Sequence, residues 1–161
     1  MQYKITVRDN ISPQLAKLAS RLANRQPLLQ AMGLQLVSLT KRAFNEESLR
    51  ASSWPAVIKS GPKNAPLKKT GALWQSIKIS SLTNNSVTVS SDRKYAAIHQ
   101  LGGRIGPHQM TSKKGKSWMH PGSNIPARPF FAFLPDGSPT PTAVKKLEAV
   151  LRDKLQALLP K

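Results

Sequence analysis

The sequence predicts an α+β fold. A small, mostly antiparallel sheet is packed by a long helix from the N-terminal half and by a C-terminal amphipathic helix, with long basic loops between. Three observations predict it. Leu29, Met32, Leu36, Leu39 and Ala43 recur at helical spacing. Val144, Leu147, Leu151, Leu155 and Leu158 do the same near the end of the chain. Between these stripes, Ile77 and Ile79 begin an alternating run to Leu82, Asn84-Asn85 supplies a turn, and Val87 and Val89 return.

In chain order, Tyr3, Ile5 and Val7 alternate with Lys4, Thr6 and Arg8 and read as a half-exposed strand over Gln2 to Val7. Ser12-Pro13 pairs an N-cap with a proline at the first helical position, and Leu15, Leu18, Ala19 and Leu22 form the apolar face of the short helix that follows. Gln26-Pro27 opens the long helix, which ends at Phe44 and is about 28 Å long at 1.5 Å per residue. Gly33 inside it costs about 1 kcal/mol relative to alanine and marks a close crossing. Residues 48–69 have neither helical nor strand period and read as a flexible surface loop pinned by Trp54 and Leu67. Thr70 and Gly71 then start a brief helical turn that sends Leu73, Trp74 and Ile77 inward. Pro135 to Pro139 is a turn cluster, and Thr140-Pro141 repeats the cap-and-proline device before the last helix.

The stretch from Tyr95 to Phe131 has a different character. Tyr95, Ile98 and Leu101 at a spacing of three predict a short helix with all three on one face, stopped by Gly102 and Gly103. A polar segment, 104–124, follows and reads as a flexible basic loop carrying Arg104, Lys113, Lys114 and Lys116. The chain re-enters order at Ile125-Pro126-Ala127-Arg128-Pro129-Phe130-Phe131, where two prolines impose an extended course. An apolar turn, a basic loop and a stiff aromatic segment in succession suit a docking surface. Arg128 is held between prolines as a preorganised cation and Phe130 or Phe131 is an aromatic anchor, with at least one of Phe130, Phe131 and Phe133 facing the core.

Composition sets the limits. The 161 residues are expected to form one domain, residues 1–161, burying roughly 70% of the unfolded surface. Lys and Arg number 25 against 7 Asp and Glu, a net charge of +18. Residues 59–116 hold 11 cations opposed only by Asp92, so the middle of the chain is the cationic part. Such a field draws polyanions or acidic protein surfaces. Cysteine is absent, which excludes disulfides and thiolate metal sites. No run of about 18 apolar residues occurs and Met1-Gln2-Tyr3-Lys4 has no signal-peptide pattern, so the expectation is a soluble protein made in the cytoplasm with no membrane partner.

Catalytic patterns are missing. His99, His108 and His120 stand nine and twelve residues apart, which fits no usual zinc spacing. Glu46 and Glu47 are adjacent and diverge on a helix, and no serine lies in a nucleophile elbow. Gly102-Gly103-Arg104-Ile105-Gly106 lacks the Gly-Lys-Ser/Thr end of a phosphate loop. The expectation is a non-enzymatic protein without metal or cofactor. Lys113-Lys114-Gly115-Lys116-Ser117-Trp118 joins charge to an aromatic, as single-strand binders do, which keeps a basic nucleic-acid-binding protein as the alternative.

Four phrases in order carry a resemblance: Asp9-Asn10-Ile11-Ser12-Pro13, Leu67 to Ile77 with its Thr70-Gly71 turn and Leu73, Tyr95-Ala96-Ala97-Ile98-His99-Gln100-Leu101-Gly102-Gly103, and Ile125 to Phe131. Together they cover nearly the whole chain, which resembles the phage virion morphogenesis proteins, the tail completion proteins of Mu-like phages and prophages. Around Trp54 the sequence departs from the family's smoother Trp-to-Leu segment.

The resemblance implies a structural role: finishing the tail and making it competent to join the head. It implies oligomerisation, often as a hexameric ring. The implied partners are further copies of the chain, the tail tube or its terminus and head-neck proteins, in a virion tail assembled in the bacterial cytoplasm. The basic loop, read from its own charge, suits a transient DNA contact, the tail terminus or an acidic tube protein, and the sequence does not choose among them. The residues expected to dock are Tyr95, His99, Gln100, Gly102, Gly103, Arg104, Pro126, Arg128, Pro129 and Phe130, with the basic loop beside them.

Overall fold

Helix α2 (Gln26–Ala43) organises the molecule. Pro27 sits at its start, and the helix buries Gly33, Leu39, Thr40 and Ala43. The computed structural model describes residues 12–55, 67–68, 70–134 and 136–158. The strand expected over Gln2 to Val7 and most of the 56–69 stretch lie outside them.

Helix α1 (Ser12–Ala23) precedes α2, and a 3-10 turn, Glu47–Leu49, follows it. Then come α3 (Ala72–Ser76) and the hairpin of β1 (Lys78–Leu82) and β2 (Val87–Ser90). Next are α4 (Ala96–Leu101), β3 (Gly103–Ile105), β4 (His108–Thr111), β5 (Ser117–His120) and β6 (Ser123–Ile125). Helix α5 (Pro141–Gln156) closes the order. The strands pair antiparallel as β1-β2, β3-β6 and β4-β5. This is the α+β arrangement predicted: two long helices, α2 and α5, packed with small two-stranded sheets.

The expected close crossing at Gly33 lies against the β1-β2 hairpin. A Cβ added there would stand 2.6 Å from Val87 Cγ2 and 2.9 Å from Ile79 Cδ1, so only a hydrogen lets the helix lie this near the sheet. The hairpin turn also ties the helices together. Asn84 accepts the Arg25 N–H through Oδ1 at 2.7 Å and donates through Nδ2 to the Ala23 carbonyl at 2.9 Å. It thereby supplies a partner at each helix end that local residues leave open.

Two apolar clusters form the core. Leu39 and Ala43 of α2 meet Leu49, Ala132 and Ala143 of α5 in one. Phe44, Leu73, Ile77, Ala96 and Phe130 make the other, with Val37, Trp54, Leu67, Trp74, Val89 and Phe131 around it. Trp54 and Leu67 are thus packed on the core as the sequence predicted, while 56–66 between them lies outside the described residues. Thr140 caps α5 as expected, its hydroxyl accepting the Ala143 N–H at 3.3 Å. At α3, by contrast, the Thr70 hydroxyl is only a distant 3.4 Å acceptor for Ala72 N–H, and left-handed Gly71 occupies the cap position.

Of the apolar residues at a spacing of three, Tyr95 and Leu101 are 42% and 73% exposed. Helix α4 turns Ala96, His99 and Gln100 inward, because its polar groups serve as acceptors for incoming backbone. The 104–124 segment is not an irregular loop but carries β3 to β6. Among the described residues no helix is long and apolar enough to cross a membrane.

Candidate interaction site

Residues 103–125 fold back on themselves as one ribbon. The pairs run Gly103↔Ile125, Arg104↔Asn124 and Ile105↔Ser123 in the inner ladder, then His108↔His120, Gln109↔Met119, Met110↔Trp118 and Thr111↔Ser117 in the outer one. Gly106-Pro107 on one side and Pro121-Gly122 on the other intervene with two residues each, so the register continues unshifted. Proline has no N–H to give a ladder, which explains the gap at this level. Nine residues from Gly103 to Thr111 make the arm about 30 Å long at roughly 3.3 Å per residue.

Almost every residue of the arm is exposed. Strand alternation puts His108, Met110, Trp118 and His120 on one face of the outer ladder. The two imidazoles stack with centroids 5.0 Å apart, and beyond them Met110 and Trp118 are 38% and 44% exposed. The opposite face carries Gln109 and Met119, with the Thr111 and Ser117 hydroxyls 3.0 Å apart. Lys113, Lys114 and Lys116 stand at the tip, exposed, on a turn closed by the Ser112 N–H donating to the Lys116 carbonyl at 2.8 Å.

A two-stranded ribbon is marginal in water by itself, so its base must be held. Helix α4 and the 54–55 segment hold it. Arg128 N–H donates to the His99 carbonyl at 2.7 Å, and the Gln100 side-chain oxygen accepts both Phe130 N–H (2.9 Å) and Phe131 N–H (3.0 Å). Trp54 Nε1 donates to the Pro129 carbonyl at 2.8 Å, and the Arg128 guanidinium donates from Nε and Nη2 to the Pro55 carbonyl at 3.2 Å. Gly102, with φ of 73°, closes the seam: a Cβ there would meet the Ala127 backbone nitrogen at 2.8 Å.

The residues predicted to dock therefore separate into two groups. His99, Gln100, Gly102, Arg128, Pro129 and Phe130 form the socket that fixes the arm. Arg128 is buried, and Phe130 is fully buried in the core with Leu73, so neither offers its side chain to a partner in this conformation. Tyr95, Gly103, Arg104, Pro126 and the three lysines face solvent. Thr70 and Gly71 stand at the start of α3, apart from the arm. The outer face of His108, Met110, Trp118 and His120 was missed, although Gly-Pro-His at 106–108 mirrored by His-Pro-Gly at 120–122 is a signal for such a ribbon.

The His99 ring lies edge-on to Tyr95 with centroids 5.8 Å apart. Its Nδ1 is buried and has no hydrogen-bond partner among the described residues. Burial, aided by the Arg128 charge, holds its pKa below the ordinary imidazole value. Among the described residues no group of three or more metal-ligating side chains converges.

No solved structure matches this chain. The chain is 30% identical over 135 residues to the Mu-like prophage FluMu G protein 2 of Haemophilus influenzae, a match covering 84% of this chain and 86% of that protein. The model of the phage virion morphogenesis family matches residues 7–156. With nearly its whole length matched, the chain belongs to the phage virion morphogenesis family, whose members are structural and not enzymes.

Proposed function

We propose that this protein completes the phage tail, acting as an oligomeric ring at the tail end that makes the tail competent to join the head, with the 103–125 arm as its docking element. The observation that carries the reading is the arm itself. It is an exposed ribbon with Met110, Trp118 and Met119 turned outward, rooted by five hydrogen bonds with backbone groups, three donated by Trp54 and Arg128 and two accepted by Gln100. A stiff socket beneath an unburied aromatic ribbon supports a part whose burial is completed by a neighbour. Repeated around a ring, the same arm-to-neighbour contact is heterologous and closes when the rotation closes. The partners of this reading are copies of the chain, the tail terminus and head-neck proteins, and its site of action is the virion tail.

The test is electron microscopy of particles made by phage lacking the protein. Filled heads and separate tails are expected, with joining restored by adding purified protein. Normal virions from such phage would remove the proposal.

A further inference from the structure

We propose that the tip of the arm contacts the phosphate backbone of duplex DNA. The inference goes beyond tail completion and stands independently of it.

The argument starts from charge. Between Asp92 and Asp136 the chain carries seven cations and no acid. Three of them, Lys113, Lys114 and Lys116, fall within four residues of the exposed tip turn. Among the described residues the acids that form ion pairs are Glu46 and Asp92, both on the body, so the tip lysines have no internal counter-charge. Such a cluster binds most strongly where counterions have already condensed, as on duplex DNA, because their release drives association.

Shape agrees with charge. A two-stranded ribbon is one of the two elements that the major groove, about 12 Å wide, admits. Next to the lysines, the Thr111 and Ser117 hydroxyls are hydrogen-bonded to each other at 3.0 Å, which leaves one O–H of the pair to donate to a phosphate oxygen. The apolar outer face ends below this point, at Met110 and Trp118. The arm thus separates a shaft suited to protein from a tip suited to a polyanion. An acidic protein would be matched by the charge but gains nothing from the narrow, hydroxyl-flanked tip.

The experiment measures binding of a 30-base-pair duplex by the full chain as salt is varied. Three proteins are compared: wild type, the tip variant Lys113→Glu, Lys114→Glu and Lys116→Glu, and a control of equal charge change, Lys17→Glu, Lys145→Glu and Lys146→Glu. All six lysines are exposed, and matching thermal melts verify the folds. Each phosphate contact contributes about 0.9 to the slope of log affinity against log salt, so the tip variant should lose two to three units of slope and the control less than one. Polyglutamate is the competing probe. Equal losses in tip variant and control, no wild-type binding at about 50 mM salt, or polyglutamate displacing DNA at lower charge concentration would each overturn the proposal.

Discussion

The side-chain oxygen of Gln100 accepts the backbone N–H of Phe130 at 2.9 Å and of its neighbour Phe131 at 3.0 Å. One uncharged side chain on α4 thereby fixes the segment on which the arm returns to the body. The pair links two stretches thirty residues apart and sets the direction in which everything between them projects.

Removing that acceptor should loosen the whole socket. Gln100→Leu leaves two part-buried N–H groups without a partner, each costing about 1–3 kcal/mol. Gln100→Glu keeps an acceptor and should lose markedly less. Urea unfolding of the two variants checks this, and equal losses would show that the contact is dispensable.

Phe130 belongs to the core, with its ring 5.5 Å from Phe44 and 4.9 Å from Phe131. Phe130→Ala should therefore cost about 3–5 kcal/mol. Met119→Ala on the exposed arm should stay within about 0.5 kcal/mol of wild type. The comparison is a pair of denaturant melts. A Phe130→Ala protein as stable as wild type would place this ring at an interface instead.

At Gly33 two effects oppose each other. Alanine improves helix propensity by about 1 kcal/mol, yet its Cβ meets the short, stiff Val87 side chain. The collision should win, leaving Gly33→Ala destabilised by about 1–3 kcal/mol. Adding Val87→Ala should recover part of the loss, and a double-mutant cycle reads the coupling.

Protonation of His99 is disfavoured in the folded protein, first by burial and second by Arg128. The unfolded chain therefore takes up this proton at higher pH than the folded one. The contribution to stability is complete above the unfolded value near 6.5 and is lost as pH falls from there through the lower folded value. Glu46 and Asp136, whose pKa values lie below the ordinary carboxylate range, titrate in a lower window. Unfolding measured between pH 7.5 and 5 should show stability falling with acid in wild type, with a shallower fall in His99→Gln.

The parts of the fold legible in the sequence were those where periodicity and burial coincide. The α2 stripe, the β1-β2 hairpin, the Thr140 cap and the Gly33 crossing were of this kind. The arm was not, because its strands bury almost nothing and so lack the apolar alternation by which strands are recognised. Helix α4 was legible from its apolar spacing and its glycine stop, but the inward roles of Gln100 and the His99 carbonyl, which receive backbone donors, leave no mark in an apolar pattern. Arg128 and Phe130 were legible as important but not as internal, since no local pattern records the Pro55 carbonyl or the Phe44 ring that meets them.

The arm's role is tested most directly by cutting it short. Replacing residues 106–122 with Asn-Gly leaves Ile105 and Ser123 flanking a two-residue turn and keeps the whole socket. The account predicts a protein that melts as wild type does, while electron microscopy of phage carrying it shows filled heads and unattached tails. Intact, infectious virions from the shortened protein would contradict it.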